Sequence, residues 1–116
     1  MFKMKVEHIK SEEVKVNDFK IIEVQDFLNR KEYDTFSIAK VKINGEQKFG
    51  RDTNSDLAYF VLEGKGKFYI EDNVFEVKKG DLVFIPKNTK YKDEGNLSLL
   101  AIAAPRFERS KRVSEE

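Results

Sequence analysis

The chemistry available to this chain lies in a few side chains with one thing in common: each sits in or beside a strand-like run. Arg51 and Thr53 fall in the turn-rich stretch "GRDTNSD" (50–56), and Tyr59 and Tyr91 lie further along. An arginine fork can clamp a carboxylate or phosphate through parallel N–H donors. Threonine and tyrosine hydroxyls can hold a polar ligand, and a tyrosine can also exchange a proton. The single histidine, His8, has no neighbour in sequence suited to a charge relay. There is no cysteine, which excludes disulfides, thiolate nucleophiles and thiolate metal sites.

Elements of strand type must position these groups. "AYFVLEGKGKFYI" (58–70) is apolar and aromatic on both sides of a Gly-Lys-Gly break, and "KKGDLVFIP" (78–86) follows closely. "TFSIAKVKI" (35–43) is rich in β-branched residues, and "NLSLLAIAA" (96–104) is the last strong strand. The spacing predicts tight turns at "NGEQ" (44–47), at Gly64-Lys65-Gly66, at Asn73 and at Gly80-Asp81. Pro86 and Pro105 end strands because they offer no N–H to a ladder. The first third is weaker. Alternation at Met4 and Val6, and again at Val14 and Val16, suggests edge strands, while "VQDFLNRKEY" (24–33) has room for one helical turn.

The 116 residues suffice for one hydrophobic core. Ten phenylalanines favour a β core of large side chains over a helical bundle. A net charge of +1, with basic and acidic residues interleaved, provides no concentrated basic face for nucleic acid. Met1–Lys5 is too polar for a signal peptide, and no apolar run is long enough to span a membrane as a helix. The expectation is a cytoplasmic protein with no membrane or nucleic-acid partner. Short strands divided by Gly, Asn and Pro indicate an all-β antiparallel barrel or sandwich.

The punctuation resembles that of the cupin superfamily, whose fold is a double-stranded β-helix, or jelly-roll barrel. "VLEG" ends at Gly64, the closing glycine of the first cupin motif, and "GDLVFIPKNTKYKDEG" supplies Gly80, Pro86, Asn88, Tyr91 and Gly95 for the second. The likeness covers roughly residues 38–105. It places Arg51, Thr53, Leu57 and Tyr91 where metal-binding cupins carry their ligands. A divalent ion needs several converging imidazole or carboxylate donors. Arginine repels it and leucine offers no lone pair, so no metal and no other cofactor is expected. Strand alternation would turn Asp52 and Asp56 away from the side bearing Arg51, Thr53 and Leu57.

The resemblance divides the chain into N-terminal strands (1–34) packing on the barrel or a partner, a barrel core (35–105) and a charged extension (106–116). It implies a metal-independent cupin that binds a small polar or anionic ligand among Arg51, Thr53, Leu57, Tyr59 and Tyr91. One alternative is a sugar isomerase, epimerase or lyase that uses tyrosine and a carboxylate. The other is a structural module whose barrel is filled. The strand at Ala58–Leu62, apolar in both parities, together with "NLSLLAIAA" (96–104), predicts a homodimer.

Overall fold

A computed structural model describes residues 5–115 of the chain. Nine strands follow one another: β1 (Asn17–Asp18), β2 (Ile22–Arg30), β3 (Tyr33–Glu46), β4 (Gly50–Asp52), β5 (Asp56–Ile70), β6 (Asn73–Lys78), β7 (Leu82–Ile85), β8 (Tyr91–Ala104) and β9 (Arg112–Ser114). There is no α-helix among the described residues, only two short 3-10 turns at Ser11–Glu13 and Arg109–Lys111. All neighbouring strands run antiparallel. The fold is an all-β jelly roll.

Three long strands carry the architecture. β8 lies between β3 and β5 and pairs with both over most of its length. β2 and β1 extend the sheet beyond β3, while β6 and β7 each pair with a different half of β5. Curling closes the inward faces around Ile43, Val61, Phe68, Ile85, Leu97 and Leu99, all nearly inaccessible to water. Burying each such side chain stabilises the fold by about 1.5–3 kcal/mol relative to exposure.

The Gly-Lys-Gly break is not a reversal, contrary to the sequence expectation. β5 runs straight through it, and the glycines serve close approach instead. A Cβ at Gly64 would lie 2.0 Å from the Asn96 carbonyl oxygen, and one at Gly66 would lie 2.2 Å from that of Glu94. The ladder also shifts here: Val61 faces Leu99 and Glu63 faces Ser98, leaving Leu62 as an extra residue. That bulge flips the parity of the strand. Leu57, Tyr59 and Val61 point inward before it, and Phe68 points inward after it. Without the bulge, Phe68 and Tyr59 would lie on opposite faces. With it their rings meet at 5.5 Å between centroids.

Other expectations are corrected in the same way. "NGEQ" is not a hairpin; Asn44 and Gly45 stay in β3, opposite Asn96 and Gly95. "VQDFLNRKEY" holds no helical turn, because β2 occupies most of it and pairs with β3. Val14 and Val16 lie outside any strand, since the edge strand is Asn17–Asp18. Met4 falls outside the described residues, and Val6 is fully exposed. The turns before Asn73 and at Lys79-Gly80 fall where the sequence places them. The segment read as a charged extension instead returns to the sheet as β9, antiparallel to β4.

Candidate functional site

Tyr59 and Tyr91 come together at one end of the barrel. Their hydroxyls are 2.6 Å apart, and their rings are tilted at 6.0 Å between centroids. Each comes from strand geometry. Tyr59 is inward by its parity in β5, and Tyr91 opens β8 opposite Gly50 and Ile70. Tyr91 is only 3% exposed. Arg112, from β9, donates from Nη1 to the Tyr91 hydroxyl at 2.9 Å, and its guanidinium stands 4.9 Å over the Tyr91 ring. Two residues beyond Tyr91, on the same face of β8, Asp93 is 2% exposed. Gln47 holds it twice: the backbone N–H donates to the Asp93 carbonyl at 3.0 Å, and Nε2 donates to Oδ1 at 2.5 Å.

Burial governs the proton affinities. It pushes the Tyr59 hydroxyl well above the ordinary phenol value, with the charges of Tyr91 and Asp93 adding to the rise. Tyr91 is raised too, again by burial first, but Arg112 and the Tyr59 hydrogen bond oppose the rise. Both phenols therefore stay protonated at neutral pH, and Tyr91 is the better supported to release its proton. Burial also raises Asp93, partly offset by Gln47 and Arg112.

The Asp93 shift has a sign that can be checked. Its folded value lies above its unfolded value, so the unfolded chain loses this proton first as pH rises. The contribution to stability is complete below the unfolded value and falls away as pH climbs to the folded one. Asp93→Asn keeps an oxygen for Gln47 and removes the titration. Urea midpoints of the wild type should decline relative to Asp93→Asn across that window and run parallel above it. Parallel curves throughout would mean that Asp93 titrates normally.

The remaining sequence candidates lie elsewhere. Arg51 faces outward in β4, where Gly50 and Asp52 are the buried neighbours, and its Nε pairs with a Glu115 carboxylate oxygen at 2.7 Å. Thr53 donates its hydroxyl to the Lys111 carbonyl at 2.7 Å, fastening the approach to β9. Leu57 is buried in the core. The expectation that Asp52 turns away from the Leu57 side is corrected: both are buried, because the bend at Thr53–Ser55 resets the alternation. Asp52 Oδ1 holds that bend by accepting from the Asn54 and Ser55 amides at 2.9 and 2.8 Å. His8 is exposed.

Sequence reasoning missed Asp93, Gln47, Phe68 and Arg112. Asp93 was within reach, since it shares the parity of Tyr91. Arg112 gave no signal, lying in a mixed charge run. Among the described residues no group of three or more His, Cys, Asp and Glu converges to hold a metal ion. A surface cleft of about 450 Å³ lies apart from the tyrosine pair, between Lys31, Asp34, Asn54, Pro105, Arg106 and Glu108. Its arginine is already occupied by Asp34 and Glu108.

A jelly roll of this size, with Tyr59 and Tyr91 meeting inside it and no metal-binding cluster among its described residues, is a small single-domain cupin. Residues 23–103 match the family described as mannose-6-phosphate isomerase, cupin domain, and the chain belongs to that family. An uncharacterized protein of Methanocaldococcus jannaschii is 36% identical over 63 residues, covering 53% of this chain and 50% of that protein. One from Aquifex aeolicus is 41% identical over 64 residues, covering 53% of each. The chain thus matches about half the length of these curated relatives. Among solved structures, the nucleoside dehydratase Pac13 superposes with a TM-score of 0.86 at 18% identity, over 97% of this chain and 92% of that one. Streptomyces Pac13 variants altered at a histidine or a tyrosine, each with uridine, superpose equally well. KdgF from Halomonas gives 0.77 at 16% identity, over 87% of this chain and 96% of that one. At these identities the likeness is one of fold. No described helix is long and apolar enough to cross a membrane.

Proposed function

We propose that this chain is a metal-independent cupin enzyme of the lyase or dehydratase kind, acting on a small polyhydroxylated substrate at the tyrosine end of the barrel. The observation that carries the reading is the coupled trio: two phenols sharing a 2.6 Å hydrogen bond, with Arg112 at 2.9 Å from one of them. Elimination of water from a carbonyl compound needs a base for the proton beside the carbonyl and an acid for the departing hydroxyl. Tyr91 suits the acid, because the adjacent guanidinium stabilises the phenolate it leaves behind. Tyr59 orients that hydroxyl and can restore its proton. Asp93, whose buried carboxyl holds a proton more firmly than a free one, suits the base. The C–H electrons form the new double bond, the C–O bond breaks, and the hydroxyl leaves as water with the Tyr91 proton.

Support comes from the fold shared with Pac13, described as a nucleoside dehydratase and studied with uridine. This chain has no histidine in its barrel, so a carboxyl must serve where an imidazole is missing. The test is incubation of the purified protein with a panel of oxidised nucleosides, aldoses and sugar acids. The expected product has lost one water and absorbs as a conjugated carbonyl. Unchanged substrates across the panel, with ligand nonetheless bound in the barrel, would return the chain to the simple binding role.

The working unit in this reading is a cytoplasmic homodimer without nucleic-acid or membrane partners. Phe60, Leu82 and Phe84 are 39%, 63% and 59% exposed on the outer face of β5 and β7, a contiguous apolar surface because Phe60 pairs with Leu82 and Ala58 with Phe84. Such a face suits a two-fold contact with a second copy. Light scattering at micromolar concentration should give twice the chain mass, and Phe84→Glu should halve it. A wild type of single-chain mass would leave that face without a partner of this kind.

A further inference from the structure

Arg112 is a permanent cation placed among neutral phenols. Among the described residues, Arg30, Arg51 and Arg106 each pair with carboxylates: Glu7 for Arg30, Glu115 for Arg51, Asp34 and Glu108 for Arg106. Arg109 stands over the Phe19 ring. No carboxylate of a described residue lies within ion-pair distance of Arg112. Its hydrogen-bond partner is the Tyr91 hydroxyl, which engages Nη1. Room for the guanidinium comes from Gly50, where a Cβ would sit 3.0 Å from Nη2. Arg112 is neither fully buried nor free in solvent.

The guanidinium is partly removed from water, and the group in direct contact with it is a phenol rather than a carboxylate. Against the effect of burial, Tyr91, Tyr59 and Asp93 hold its proton more firmly than on a free arginine, but none of them forms an ion pair with it. A negative group in direct contact is what this arginine lacks among the described residues, unlike Arg30, Arg51 and Arg106. The guanidinium is planar with five N–H donors, one of which is used on Tyr91. The rest suit a carboxylate or phosphate approached as a fork.

We propose that Arg112, delivered from the last strand, is the anion-recognition residue of the site, and that the natural substrates carry a carboxylate or a phosphate group. This rests on the proposed function for the word substrate, but not for the binding itself. It also moves anion recognition from Arg51, where the sequence places it, to a residue sixty-one positions further on (112 − 51).

The test reads binding rather than turnover. Full-length protein is titrated at constant ionic strength with sodium phosphate in one arm, sodium acetate in a second and neutral ribose in a third. The readouts are tyrosine difference absorbance and the NMR signal of the Arg112 side chain. Saturable binding of phosphate or acetate, but not ribose, is expected, and the stronger arm identifies the anionic group. Arg112→Gln should weaken it by about ten- to a hundredfold, and Arg51→Gln should leave it unchanged. Arg112→Lys keeps the charge without the fork, giving an intermediate loss and a second variant should the glutamine one fail to fold. Tyr91→Phe should still bind the anion, which separates this assignment from the proton-transfer role of Tyr91. Equal affinity in wild type and Arg112→Gln, loss in Arg51→Gln, or no saturable anion binding in the wild type would overturn it.

Discussion

Tyr91→Phe should lower turnover of the dehydrated substrate by about 10²–10⁴-fold, the range for removing a positioned acid or base. The hydroxyl is the meeting point of the site: Tyr59 bonds it at 2.6 Å and Arg112 at 2.9 Å. Phenylalanine keeps the ring, the packing against Tyr59 and the face beneath the guanidinium. It deletes the proton to be transferred. Leaving the Tyr59 hydroxyl and Arg112 Nη1 without this partner should cost about 1–3 kcal/mol of stability, which a jelly roll with this core can absorb. Thermal melting should therefore show a folded variant with little activity. Tyr59→Phe should cost less, because it removes the orienting bond and leaves the Arg112-supported acid. A folded Tyr91→Phe enzyme of nearly wild-type rate would remove tyrosine from the mechanism.

Gly64→Val should prevent folding or destabilise the barrel by more than about 3 kcal/mol. Two independent obstacles add. The backbone φ of +86° is strained for any L side chain, and the new Cβ would be driven to 2.0 Å from the Asn96 carbonyl oxygen of β8. Backbone on both sides leaves nothing flexible to yield. Gly80 is the control, with φ of +94° but no atom within 4 Å of a Cβ. Gly80→Ala should cost only about 1 kcal/mol, the conformational part alone. Urea denaturation of the two variants separates steric collision from dihedral strain. Similar modest losses in both would mean that β5 and β8 can move apart at Gly64.

The barrel was legible because its signals are local. β-branched runs, aromatic strands, Pro86 and Gly80 each report on their immediate surroundings, and the cupin spacing ties them together. What the sequence hid was where neighbouring backbones approach one another. A glycine that permits a turn and a glycine that permits close strand packing read alike, so Gly64 and Gly66 suggested a hairpin within what is one continuous strand. The bulge at Leu62 has no residue signature of its own, although it decides that Phe68 faces the same interior as Tyr59. For the site, strand parity found Tyr59 and Tyr91. The same argument extended by two residues reaches Asp93. Arg51 was misleading because the alternation through β4 does not continue past the bend at Thr53–Ser55. Arg112 belongs to a different category. Its place depends on a strand that forms only by pairing with residues some sixty positions earlier, as in Asp52 with Arg112.

That last pairing gives the barrel an uneven stability. β9 pairs in the sheet with β4 alone, through Gly50–Ser114, Arg51–Val113 and Asp52–Arg112, whereas β8 is clasped along both sides. A three-residue edge strand opens at far lower free energy than the whole molecule. Opening it would carry Arg112 away from Tyr91 while the two phenols, Asp93 and the core stay assembled. In thermodynamic terms the fold and the charge of its interior are separate variables. A jelly roll that has lost its edge strand is still a jelly roll, but its interior no longer holds a cation beside the phenols, and Tyr91 reverts to an ordinary buried phenol.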